Sequence, residues 1–362
     1  MNSFKKLITL LKLQRSNIFN IYFLAGLQGV FYIMVPLGIQ TIVTYTMSGQ
    51  MSASLILLAL LTVSAVLFIG VFQLWQMRIN ETVQQSLLVN IGLRFSQKLS
   101  VLSPDLYVSD YLPGKINQFF DVLTLQKGLA KILLDLSFAI IRIAFGLIIL
   151  SAYNPLFLVF TIVIGVVFYI LINTYGKEAQ SASNNVSTQK YLFVDWLHRL
   201  YQGVKKKNVA FNDAYIIQNT NISLSDYLEK KKNYFVILDK QYISVLIFKV
   251  VFTGVLLFTG IWMVQNGSLN IGQFVAAEIL VILVINSVEK LVLNLRTFYD
   301  VLTAVEKLNQ IFDMDEDGFE RTNEFSALLD KTGVKEKDII YLHDYTKRTK
   351  KLIYIIFIAL LI

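Results

Sequence analysis

Residues 55–99 read LILLALLTVSAVLFIGVFQLWQMRINETVQQSLLVNIGLRFSQKL, a stretch that changes character halfway without a break. Its first part, to Trp75, carries no charge and has the roughly 20 residues needed to cross a bilayer. Its second part is polar, yet apolar residues recur at every fourth position: Ile79, Val83, Leu87, Ile91, Phe95 and Leu99. That spacing is one face of an α-helix. The first proline after this stretch is Pro104, so one helix is expected from Leu55 to Leu102. At 1.5 Å per residue it would be about 70 Å long, more than twice the roughly 30 Å hydrocarbon core. Its second half must therefore project into water.

The remainder of the 362 residues agrees with a membrane location. Hydrophobic residues make up 55% and charged residues 16%, against roughly 45–50% and 25% in soluble domains. Six apolar stretches are long enough to span, at 18–45, 55–75, 132–152, 156–172, 242–264 and 271–293. The expected fold class is an all-α membrane protein with six transmembrane helices. The first stretch is too long for a cleaved signal peptide and lacks a small-residue cleavage site. With no cysteine and only His198 and His343, disulfides, thiolate sites and a histidine-based catalytic or zinc centre are not expected.

Lys and Arg set the orientation. Lys5, Lys6, Lys12 and Arg15 precede span one, six basic residues separate spans two and three, and ten separate spans four and five. The other three connections, 46–54, 153–155 and 265–270, contain none. By the positive-inside rule both termini are cytoplasmic and residues 1–17 form a cytoplasmic segment. The net charge of +8 is thereby a topology signal, and no nucleic-acid partner is expected.

The second long internal segment repeats the design of the first. Span four continues through Trp196, Leu197 and Leu200, breaks within 203–221, and returns with Leu224, Tyr227, Leu228, Tyr234, Phe235 and Leu238. The outline is thus six spans with two long helical hairpins, each with a short tip, at 103–111 and 207–215.

This outline resembles the type 1 transmembrane domain of exporter-type ABC transporters, in particular bacterial toxin and peptide exporter half-transporters. The residues carrying the resemblance are Asn266-Gly-Ser-Leu-Asn-Ile-Gly-Gln-Phe-Val-Ala-Ala-Glu278, Val288-Glu-Lys-Leu291 and Tyr299-Asp-Val-Leu-Thr-Ala-Val-Glu-Lys-Leu308. It covers roughly residues 18–310. The resemblance implies a homodimer or heterodimer, domain-swapped, in a bacterial cell membrane. It implies two coupling helices that dock on an ABC ATP-binding subunit or domain, with Asp110, Tyr111, Phe211 and Asn212 as the candidate docking residues. Each tip mixes aromatics with short polar groups, the composition of a small interface with buried anchors.

The family pattern is broken at the C-terminus. No G-x-x-x-x-G-K-[ST] loop occurs, so this chain is not expected to be an enzyme; ATP and magnesium would sit on a partner ATPase. Residues 311–362 form a tail resembling the opening strands of an ATP-binding domain, cut off before the nucleotide loop. Asp313-Met-Asp-Glu-Asp-Gly318 with Glu324 satisfies a calcium-loop pattern. Arg321 stands at the ninth loop position, where an oxygen ligand or water contact is expected, so an acidic linker is the better reading and no metal site is expected.

Four charged residues fall at membrane depth: Asp135, Arg142, Lys249 and Glu278. Such groups face a cavity or a partner and are functional candidates by default. Structural pairing, for instance Arg142 with Glu278, is the competing explanation. Three functions remain open at this point. The foremost is the membrane subunit of an ABC exporter, forming the translocation pathway among membrane lipids. The others are a truncated non-transporting or regulatory remnant of a half-transporter, and an unrelated six-span carrier or channel.

Overall fold

The computed structural model describes residues 3–12, 14–49, 53–100, 115–205 and 212–312. All regular structure among them is helical. A short helix α1 (Ser3–Lys12) precedes α2 (Arg15–Met47) and α3 (Ala53–Ser100). A 3-10 turn at Gln118–Phe120 leads into α4 (Asp121–Tyr153), followed by α5 (Leu156–Lys205), α6 (Asp213–Gln265) and α7 (Ile271–Phe312). Helices α2 to α7 supply six segments long and apolar enough to cross a membrane. The chain is a multi-pass membrane protein.

The expected long helix exists: α3 is unbroken over 48 residues, about 72 Å by helix rise. Its four-residue stripe is the buried face, since Val83, Leu87, Ile91 and Phe95 are all buried. Helices α5 and α6 are longer still, at 50 and 53 residues. Both outrun the apolar layer on the same side as α3, here called the arm side. The opposite, short-loop side is closed by tight connections. Gly49 and Gly267 adopt φ of 73° and 69° there, a left-handed conformation that favours glycine. Asn270 and Gln273 then start α7 with a reciprocal cap: the Gln273 N–H donates to Asn270 Oδ1 (2.7 Å) and the Asn270 N–H to Gln273 Oε1 (2.9 Å).

Helix α7 is the hub. Half of its apolar window is buried, against 6% of that of α3, whose Ile56, Leu57, Leu60 and Val63 face outward as lipid-facing side chains do. Helix α4 is its closest partner, and small residues make the approach possible. A Cβ on Gly128 would strike Val301, and one on Gly146 would lie 2.6 Å from Val284 Cγ2. The core changes membership along the bundle. Towards the short loops, Leu147, Phe157, Leu256 and Val284 join α4, α5, α6 and α7. Towards the arms, Leu7, Ile21, Val83, Leu125 and Val301 join α1, α2, α3, α4 and α7. There the α5–α6 hairpin reaches α7 through smaller clusters around Tyr234, Tyr299, Leu171 and Val245.

One boundary differs from the sequence expectation. The break placed at 203–221 is shorter, because α5 runs to Lys205 and α6 already starts at Asp213. Asn212 caps α6 by accepting the Ala214 N–H on its Oδ1 (3.2 Å). Trp196 of α5 then holds the first turns of α6 in place. Its indole N–H donates to Thr220 Oγ1 (3.0 Å) and its ring meets Tyr215 edge-on.

Candidate functional site: two polar layers around α7

The first layer lies inside the apolar zone, about 5–10 Å from its arm-side boundary by helix rise. Asp135 stands three residues into the third span, Lys249 seven residues into the fifth and Glu289 four residues before the sixth ends. Lys249 Nζ meets Glu289 Oε2 at 2.7 Å, and Tyr242 donates to Glu289 Oε1 at 3.2 Å. Lys290 Nζ meets Asp135 Oδ1 at 2.6 Å, while the Asn294 side-chain amide donates to Asp135 Oδ2 at 3.1 Å. Two acids and two bases thus neutralise one another across three helices, as charges at membrane depth usually do. The carboxylates are the more sheltered, with Asp135 at 17% and Glu289 at 21% side-chain exposure against 45% for Lys290.

Of the four intramembrane candidates, this layer unites Asp135 and Lys249 and leaves out the other two. Arg142 does not pair with Glu278. Its guanidinium lies 4.2 Å from the centroid of the Tyr32 ring on α2, with Phe138 at 5.7 Å. A cation over an aromatic face is the alternative partner a low-dielectric site offers. Glu278 is half-buried beside Gly260 of α6, with no ion pair among the described residues. Glu289, Lys290, Tyr242 and Asn294 were not among the expected site residues. The adjacent opposite charges of Glu289-Lys290 near the end of a span were the available signal.

The second layer lies in the arms. Gln180, Ser183, Asn184 and Thr188 recur at helical spacing along α5 and face α7. Ser183 donates to Asp300 Oδ1 (2.9 Å), Thr303 to Ser183 (3.0 Å), Asn184 to Glu306 Oε1 (3.0 Å) and Lys307 to Thr188 (2.9 Å). Tyr234 of α6 adds a third helix by donating to Asp300 Oδ1 at 3.0 Å. Burial, with the Asp300 carboxylate beside it, pushes the Tyr234 phenol above its usual range. Burial likewise holds the Lys307 ammonium below its own. At the foot of α4, Asp121 accepts from Lys190 of α5 at 2.8 Å. A cavity of about 260 Å³ opens beside this contact, lined by Lys115, Gln118, Tyr191, Asp195 and Lys307 among others.

Among the described residues, no cluster of three or more His, Asp or Glu side chains could hold a metal ion. What the two layers can do is join helices by exchangeable polar contacts. Each is worth about 0.5–1.5 kcal/mol net; the Asp135 contacts with Lys290 and Asn294 lie on the α4–α7 seam, which is otherwise closely packed where Val301 and Val284 approach Gly128 and Gly146.

The expected docking residues Asp110, Tyr111 and Phe211 lie outside the described residues, as do the tip at 103–111 and the tail beyond Phe312 with its calcium-like loop. Asn212 is described, and its role there is that of a helix cap. No protein-family model matches the chain, and no curated protein matches it either.

Proposed function

We propose that this chain is the transmembrane subunit of an ABC-type exporter, lining the translocation pathway and moved by ATP-binding domains carried on another chain. The observation that supports this reading most is the far end of the α5–α6 hairpin. No residue from Asp213 to Asn233 is buried, and Ile217, Leu224 and Leu228, which share one face of α6 by their spacing, are exposed there, well outside the apolar layer. Exposed apolar groups on a projecting helix mark a surface awaiting a protein partner. A second copy of the chain on the flank and an ATPase on the tip would cover it. On this reading the arms and both termini face the cytoplasm of a bacterial cell, in keeping with the placement of Lys and Arg.

The chain contains no cysteine, so Ile217→Cys provides one reactive thiol at the exposed end. In native membranes, ATP with magnesium and vanadate should change its labelling rate by a membrane-impermeant maleimide several-fold. A rate indifferent to nucleotide would contradict the proposal.

A further inference from the structure

A second cavity, also of about 260 Å³, lies between α6 and α7 where their apolar stretches begin and end. It is lined by Phe235, Asp239 and Tyr242 of α6 and by Val292, Leu293 and Arg296 of α7, among others. Tyr242 opens the fifth apolar stretch and Leu293 closes the sixth, so the cavity straddles the edge of the hydrocarbon layer. Arg296 is one helical turn beyond Leu293, about 4.5 Å by helix rise. That places it in the head-group layer, which is roughly 5–7 Å thick on each face. The wall nearer the membrane, formed by Val292 and Leu293, is apolar, with Leu293 54% exposed, while Phe235 lies one helical turn farther out than Asp239. The wall farther out carries one positive and one negative side chain.

The positive group is poorly paired. Arg296 Nε approaches Asp300 Oδ2 only at 3.9 Å and the side chain is 59% exposed, while Ser183 and Tyr234 both donate to the other carboxylate oxygen, Oδ1. A planar guanidinium with free donors at phosphate depth suits a phosphate group. Asp239 on the facing helix would repel a head group that carries only negative charge, and would accept N–H donors from an ammonium. The apolar wall continues into the bilayer along Val292 and Leu293, where acyl chains would run.

We infer that this groove is a binding site for one phospholipid with a primary-amine head group, of the phosphatidylethanolamine class. Its phosphate lies on Arg296, its ammonium on Asp239 and its acyl chains along the α6–α7 seam. The inference rests on the membrane location alone and is independent of the exporter reading.

The test uses the full chain, purified in a mild detergent and supplied with equimolar phosphatidylethanolamine, phosphatidylcholine and phosphatidylglycerol, with retained lipid counted by native mass spectrometry. Phosphatidylethanolamine should be retained in preference to the other two. The choline head group has no N–H to give Asp239, and the glycerol head group adds no cation. Arg296→Gln should lower retention about tenfold, the scale of one charge-assisted contact. Arg296→Lys should restore part of it, which separates loss of the phosphate contact from misfolding. Asp239→Asn should abolish the preference over phosphatidylglycerol. Equal retention of the three lipids, or unchanged retention in Arg296→Gln, would overturn the assignment. So would displacement of the lipid by millimolar free phosphoethanolamine, which would make the ligand a soluble one.

Discussion

Lys249 on α6 and Glu289 on α7 meet at 2.7 Å within the apolar layer, and the next residue of α7, Lys290, meets Asp135 of α4 at 2.6 Å. Successive residues of a helix point about 100° apart. Two adjacent opposite charges therefore turn to two different neighbours, and α7 is tied to a helix on each side by one dipeptide.

This arrangement makes the 249–289 pair separable from the 135–290 pair. Lys249→Met and Glu289→Gln should each lower thermal stability in detergent. The double-mutant cycle should show a coupling of about 0.6–1.7 kcal/mol, the range of interhelical polar contacts in membranes. The exchanged pair Lys249→Glu with Glu289→Lys should recover part of the loss. A coupling of zero would mean that the two side chains do not interact.

The close α4–α7 seam predicts intolerance of volume. Gly128→Leu and Gly146→Leu insert side chains against Val301 and Val284, short β-branched groups that cannot swing away. Each should cost about 1–3 kcal/mol, read as an earlier thermal unfolding transition. Gly70→Leu, at a position with nothing within 4 Å, should leave the transition in place and serves as the control.

Tyr234 predicts a pH dependence. Burial first, and then Asp300, raises its phenol above the ordinary 10.0, and Tyr299 and Tyr191 are raised by burial in the same sense. The native state keeps a proton that the unfolded chain releases from about pH 10 upward. The associated stability is therefore fully present below pH 10 and declines as pH rises beyond it. Tyr234→Phe should start about 0.5–1.5 kcal/mol lower at pH 7, for the lost bond to Asp300, and decline less steeply above pH 10. Parallel declines in the two proteins would contradict the assigned proton.

The outline of the fold was legible in the sequence where periodicity speaks directly. The spacing of Val83, Leu87, Ile91 and Phe95 marks a buried stripe because a helix presents every fourth residue to one side, whatever packs on it. The partners of the charges were not legible. Arg142 and Glu278 are both deep and opposite in charge, yet Arg142 rests on Tyr32, because pairing depends on which helix faces meet. The start of α6 is not legible in 203–221, where a glycine, three lysines and four asparagines interrupt the apolar periodicity. Asn212 caps the helix, and Trp196 stabilises the first turns through a contact 24 residues distant in sequence.

The uncovered flank of α6 predicts self-association. A single cysteine at Leu228, introduced into the cysteine-free chain, should allow a thiol crosslinker to join two copies in membranes at protein densities where a cysteine on the lipid-facing Leu57 does not. Crosslinking that is equal at the two positions would point to random collision.

On the proposed function, an ATPase on another chain drives this one through the arm tips. The most direct measurement is magnesium-dependent ATP hydrolysis by the full chain affinity-purified from its native membranes. Vanadate-sensitive hydrolysis should co-purify with the chain and be lost when the chain is produced alone in a foreign host. It should also be lost on Tyr111→Ala or Phe211→Ala, with expression and membrane insertion unchanged. Hydrolysis that survives both substitutions, or that is absent from the native preparation altogether, would contradict the proposal.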